Sequence, residues 1–374
     1  MIAQILLPWL LLVSPGEKPE IVEALAGAGD NRAELERALR DSTADERPGM
    51  EFLIANMPAS DRKTLKADYL LENTRLAYRA RREMPWGKSI PEELFLNDVL
   101  PYAHVDETRE PWRREFLDLC LPMVKDCKTP EEAARKLNAE LFGKLKVKYS
   151  TKRRAPNQSA RETLETGLAS CTGLSIVLAD ACRSVCIPAR LVGTPLWANK
   201  RGNHTWVEVW DKDWHFTGAC EQDPQGLDRG WFVGDAAQAK KDIFEHAIYA
   251  ASFKRSKLWF PMVWAMGNHQ VPGENVTDRY AKKPAVSSGT VRLLVRVVDA
   301  SGKRVARPVT VIPADSGVPK KQENSRGETN DLNDFAGFDL PREMDVEIQV
   351  EGVKKTVRTS ATEKEQLVEI RLGA

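Results

Sequence analysis

Between residues 17 and 145 apolar positions recur at helical spacing. Within 61–82, Leu65, Tyr69, Leu70, Leu76 and Ala77 fall on one face and predict a helix. Residues 111–125 and 129–145 read the same way. Thr129 followed by Pro130, Glu131 and Glu132 gives the second of these a cap, an N-terminal proline and an acidic first turn. Pro-rich loops such as Met84-Pro85-Trp86-Gly87 join these helices around one core. From Gly289 the period changes to two. Residues 291–305 read as two strands joined by an Asp299-Ala300-Ser301-Gly302 turn, 308–313 as a further strand, and 345–352, 354–360 and 366–372 as later ones. Short strands at this spacing predict a β-sandwich over 289–374. It contains neither cysteine nor histidine, so no catalytic group is expected from it.

The segment between carries the chemistry. Leu174, Val177, Leu178, Ala181, Cys182 and Val185 share one helical face, Ser170 is placed to cap the helix, and Pro188 ends the pattern. Cys182 belongs to the buried stripe. Cys171 stands instead at the first helical position, where free N–H groups and the positive end of the helix dipole favour a thiolate and could hold an oxyanion. Residues 204–210 alternate as a strand, with His204, Trp206, Glu208 and Trp210 on one face. Asp211-Lys212-Asp213 turns the chain, and 214–221 returns antiparallel. A helix-start cysteine alone is more often structural. A histidine at the start of a following strand makes it a candidate nucleophile–base pair.

In order, the chain reads Cys171, Arg183, Ile187-Pro188-Ala189-Arg190 and His204-Thr205-Trp206-Val207-Glu208-Val209. Over about 150–235 this resembles the transglutaminase-like superfamily, which includes transglutaminases, peptide N-glycanases and bacterial cysteine hydrolases. The resemblance implies an α+β fold: a helical N-terminal region (17–145), a papain-like core (146–285) whose antiparallel sheet packs on the nucleophile helix, and the C-terminal sandwich. It also implies amide-directed acyl chemistry by a Cys-His-Asp triad, with Cys171 as nucleophile and His204 as base, and a protein, peptide or glycopeptide as substrate. The family's acidic member falls at Gly218, which has no side chain. Glu221 is the candidate replacement and Asp223 the alternative. An even-length turn would put Glu221 on the imidazole's face; a three-residue loop would set Cys220 opposite His204 and turn Glu221 away. Trp197, Trp206 and Trp231 are candidates for the walls of a substrate groove, and Gln158 or Asn157 for an oxyanion donor. The competing reading is a catalytically silent module that binds peptide or cell-surface polymer through that groove.

Composition narrows the picture. Hydrophobic content of 42%, 29% charged residues and a net charge of +1 describe a globular protein with no basic stripe for nucleic acid. Residues 1–16 form an apolar run too short to span a bilayer and placed as a signal peptide, so export is expected and an integral membrane protein is not. The Asn203-His204-Thr205 sequon would put a glycan beside the base, which fits a bacterial source. With Cys171 free, five of the six cysteines remain, an odd number that is not a disulfide framework. No close Cys/His spacing suggests a metal, and no cofactor is implied.

Overall fold

The computed structural model describes residues 18–281, 289–315 and 317–373; the apolar leader lies outside them. Helices run from Pro19–Ala26 to Pro130–Leu145. Thr129 caps the last, its side chain accepting from Glu132 N. The single helix expected over 61–82 is two, Ala59–Thr64 and Ala67–Glu83, parted by extended backbone at Leu65 and Lys66. Asn31 explains the break: its Nδ2 donates to the carbonyls of Arg62 and Leu65, which a continuous helix would have used internally. These helices and the Cys171–Ser184 helix, expected to carry the nucleophile, share one apolar core that extends from Ile21 to Val271.

The central sheet has six antiparallel strands, in the order Asp213–Thr217, His204–Asp211, Ala189–Thr194, Tyr249–Ala251, Pro272–Asn275, Leu258–Trp259. The alternation of the His204 strand divides two cores. Val207 and Val209 face the core that holds the nucleophile helix, whereas Trp206 packs with Trp197, Phe232 and Tyr280 on the other side. Arg190 and Glu208, from the two family motifs, are cross-strand partners, bonded at 2.8 Å and buried. Both therefore hold the sheet together and are occupied away from chemistry.

The C-terminal segment is two sheets over a core of Leu293, Val295, Val297, Val311, Phe338 and Ile348. One holds Lys321–Asn324, Pro308–Pro313, Asp345–Val350 and Val353–Arg358; the other holds Ala336–Pro341, Thr290–Val298 and Glu365–Arg371, the last two parallel. The arm expected after the 299–302 turn is reduced to a Val298–Arg304 bridge. Strands 321–324 and 336–341 escape the pattern because one is wholly polar and the other is interrupted by Gly337 and Asp339. The sandwich is tied to the central sheet's region: Asn333 Nδ2 donates to Asn203 O at 2.9 Å, and Asn199 Nδ2 to Glu365 Oε2 at 2.8 Å. The first contact brings the 327–335 loop to the residue next to His204.

Candidate active site

Ser170 creates the site's first half. Its extended backbone and side-chain oxygen cap the helix by accepting from Gly173 N at 3.0 Å, and Cys171 becomes the first helical residue. The N–H groups of Cys171 and Thr172, in the first helical turn, have no acceptor within the helix, which makes them candidate oxyanion donors. Cys171 is half-buried and its thiol is free. Thr172 Oγ1 and Thr205 Oγ1 meet at 3.0 Å, which fixes the helix start against the histidine strand.

His204 is the second half. Its ring is 1% exposed and enclosed by aromatic groups, with Trp231, Phe232 and Trp206 at centroid distances of 4.7, 5.0 and 5.8 Å. Two carboxylates approach it from different sides. Glu221 Oε2 is 3.8 Å from Nε2, and Asp331 Oδ2, from the C-terminal sandwich, is 3.4 Å from Nδ1. One atom each from Cys171, His204 and Asp331 lie within 4.8 Å of one another, a triad-like group. Neither ring nitrogen has a partner at hydrogen-bond geometry. Such bonds are often long without substrate and tighten when it binds.

The charges are strongly coupled. Burial by itself would hold His204 neutral, but the Asp331 carboxylate, with a smaller effect from Cys171, outweighs it and raises the imidazole pKa well above its ordinary value. Burial pushes Asp331 upward, and the His204 charge overcomes this and leaves it below the usual carboxylate value. Burial pushes Glu221 up to about 7, against the pull of His204 and with help from Asp331.

The returning strand corrects one expectation. Asp211 pairs with Asp213 and Trp210 with Trp214 around a left-handed Lys212, so the loop has the odd length that should turn Glu221 away. The pairing ends at Val207–Thr217. Beyond it Glu221 N bonds Gly218 O at 3.2 Å, Cys220 takes φ 64°, and the chain curls so that Glu221 returns to the imidazole. Asn138 fixes this curl by donating to Gly218 O and accepting from Cys220 N. Trp231 Nε1 donates to Glu221 Oε2 at 2.9 Å and aims it.

Other candidates fall elsewhere. Trp197 and Trp206 are 1% and 0% exposed and stack at 6.0 Å; they form the dry wall behind the imidazole and cannot line an open groove. Trp231 alone of the three groove tryptophans is half-buried at the site. Gln158 is buried and fully committed to its loop: Oε1 accepts from Arg154 N and Ala155 N, and Nε2 lies within bonding distance of Glu162 O, Thr166 Oγ1 and Leu168 O. Its amide is therefore engaged by its own loop and not by Cys171 or His204. Asp223 accepts from Gln225 N in an exposed turn, and among the described residues His204 forms ion pairs with Glu221 and Asp331 only. Sequence reasoning missed Asp331, having set aside the sandwich for its lack of cysteine and histidine. The Asp331-Leu332-Asn333-Asp334 run, polar and turn-forming between strands, was the signal on offer.

Residues 118–236 match the family model described as Transglutaminase-like superfamily. These residues are a transglutaminase-like domain. It contains Cys171, His204 and Glu221, whereas Asp331 lies outside it. Among the solved structures that the chain resembles are the following two. One is a proposed cysteine protease from Cytophaga hutchinsonii, at 19% identity over 35% of this chain and 45% of that one, with a TM-score of 0.28. The other is a red sea bream transglutaminase, at 11% identity over 75% of this chain and 66% of that one, with a TM-score of 0.33. The chain thus spans less than half of the first and just under two thirds of the second. No curated protein matches. Among the described residues no helix is long and apolar enough to cross a membrane.

Proposed function

We propose that the transglutaminase-like domain catalyses cysteine-dependent acyl transfer or hydrolysis at an amide bond of a protein or peptide. The observation that carries this reading is the meeting of a helix-start thiol with a buried imidazole whose far nitrogen faces a carboxylate. In this reading Nδ1 serves Cys171 and Nε2 serves Glu221. Cys171 Sγ, as thiolate, attacks the carbonyl carbon; His204 delivers a proton to the departing amine; water or a second amine then resolves the thioester. Glu221 acts through His204, holding the ring and stabilising its charged form, as the acid of a triad does. The silent-module reading is disfavoured because two of the three tryptophans of its groove are core residues.

The test is acyl-enzyme trapping. p-Nitrophenyl acetate should acetylate Cys171, detected by mass after rapid quench, and added methylamine should yield N-methylacetamide if an amine can be the acceptor. His204→Ala protein should not form the adduct at a comparable rate. Acetylation spread evenly over the six cysteines would overturn the proposal.

A further inference from the structure

We infer that the side chains meeting between the Cys171 helix and the C-terminal sandwich form a Zn²⁺ site, made of Cys171 Sγ, His204 Nδ1 and the Asp331 carboxylate. One atom from each lies within 4.8 Å of the others, and Nδ1 and Oδ2 are 3.4 Å apart. Zinc bonds of about 2.0–2.3 Å set tetrahedral ligand–ligand distances of roughly 3.3–3.6 Å, so no pair of ligand atoms has more than about 1.5 Å to close. A thiolate, an imidazole and one carboxylate suit zinc. Calcium and magnesium take oxygen ligands, which this site does not supply in number.

Two further observations point the same way. His204 Nδ1 is buried without a hydrogen-bond partner, and Asp331 Oδ1 accepts from Asn333 N at 2.9 Å, which leaves Oδ2 for the pocket. Glu221 Oε2 lies 3.8 Å from Nε2, where metal-binding histidines commonly keep an orienting carboxylate, and Trp231 holds it there. Three protein ligands leave the fourth position of a tetrahedron open to water. A bound ion would occupy the nucleophile and clamp the sandwich to the catalytic domain. Only this inhibitory consequence rests on the function proposed above; the binding does not.

The experiment is a competition titration of the full chain with ZnCl₂ against a chromophoric zinc chelator, run beside Cys171 alkylation with and without zinc. The expected result is one ion per chain, with affinity reduced at least about tenfold in each of Cys171→Ala, His204→Ala and Asp331→Asn, and unchanged in Cys127→Ala. Zinc should also slow alkylation of Cys171 and raise the melting temperature. The melting temperature of each zinc-free variant identifies any that has unfolded, and Asp331→Glu, which keeps the carboxylate, then serves as the second variant and should retain binding. Absence of stoichiometric binding, or binding with undiminished affinity in folded Asp331→Asn, would overturn the inference. Slow alkylation of Cys171 without zinc would instead count against the catalytic reading and leave the zinc site standing.

Discussion

The Glu221 carboxylate fills the space that a side chain on Gly218 would enter: a Cβ at 218 would lie 2.8 Å from Glu221 Oε2 and 3.1 Å from Glu221 Cβ. The position where the family resemblance predicts an acid is thus a glycine in sequence and filled by Glu221 in space. Putting aspartate back should produce a clash, with two carboxylates in one buried place. Gly218→Asp alone is expected to lower both the melting temperature and Cys171 acetylation, whereas Gly218→Asp with Glu221→Ala should recover acetylation to within about tenfold of the parent. Rates for the four proteins of this cycle check the claim, since only a shared site gives non-additivity of that sign.

Glu221 should also set the pH dependence. Its pKa is raised to about 7, chiefly by burial. Below that pH the carboxyl is neutral and cannot stabilise the imidazolium; above it, the anion can. Acetylation of Cys171 should therefore rise through a limb near pH 7, and Glu221→Gln should remove the limb and lower the plateau by about 10²–10⁴. A limb that persists in Glu221→Gln would assign it to another group.

Asp331 has the opposite leverage on His204. Removing its negative charge takes away the largest effect that favours the imidazolium, so Asp331→Asn should lower the His204 pKa, read from the ring resonances. The sign carries into stability. A histidine whose folded pKa exceeds its unfolded value of about 6.5 contributes stability fully below that value and loses it as pH rises through the folded pKa. The parent should lose this increment between about pH 6.5 and the raised pKa, and Asp331→Asn should lose less over the same window.

What the sequence disclosed and what it hid have physical causes. Cys171 and His204 were legible because each sits at the start of a regular element, and helix and strand periods place such residues reliably. The acidic partners lie where periodicity stops. Glu221 lies past the end of its ladder, where a left-handed Cys220 and the Asn138 contacts decide its direction. Asp331 is in a loop 127 residues beyond His204, brought back by the fold of a second segment. Trp197 and Trp206 look like groove residues on composition, but the alternation of the histidine strand puts Trp206 into a closed aromatic cluster.

Gln158 offers a control for this distinction. Its side-chain oxygen and nitrogen are both engaged by backbone, so Gln158→Ala should cost about 1–3 kcal/mol of stability by leaving buried groups unpaired. Per folded molecule, acetylation of Cys171 should remain within about twofold of the parent, since no reacting atom is touched. Urea melts and active-site titration separate the two. A large loss of rate in fully folded protein would restore Gln158 to the oxyanion site.

The most direct test of the account is the rate at which each of the six cysteines is alkylated by iodoacetamide at neutral pH, resolved by mass spectrometry in the parent and in His204→Ala. Burial pushes the thiol pKa of Cys120 and Cys186 up to about 12, raises that of buried Cys182 as well, and pushes Cys220 up to about 11. Cys171 is expected to react fastest in the parent, by at least about tenfold, and to lose that lead in His204→Ala. Equal rates across the cysteines, or a Cys171 rate indifferent to His204, would contradict the account.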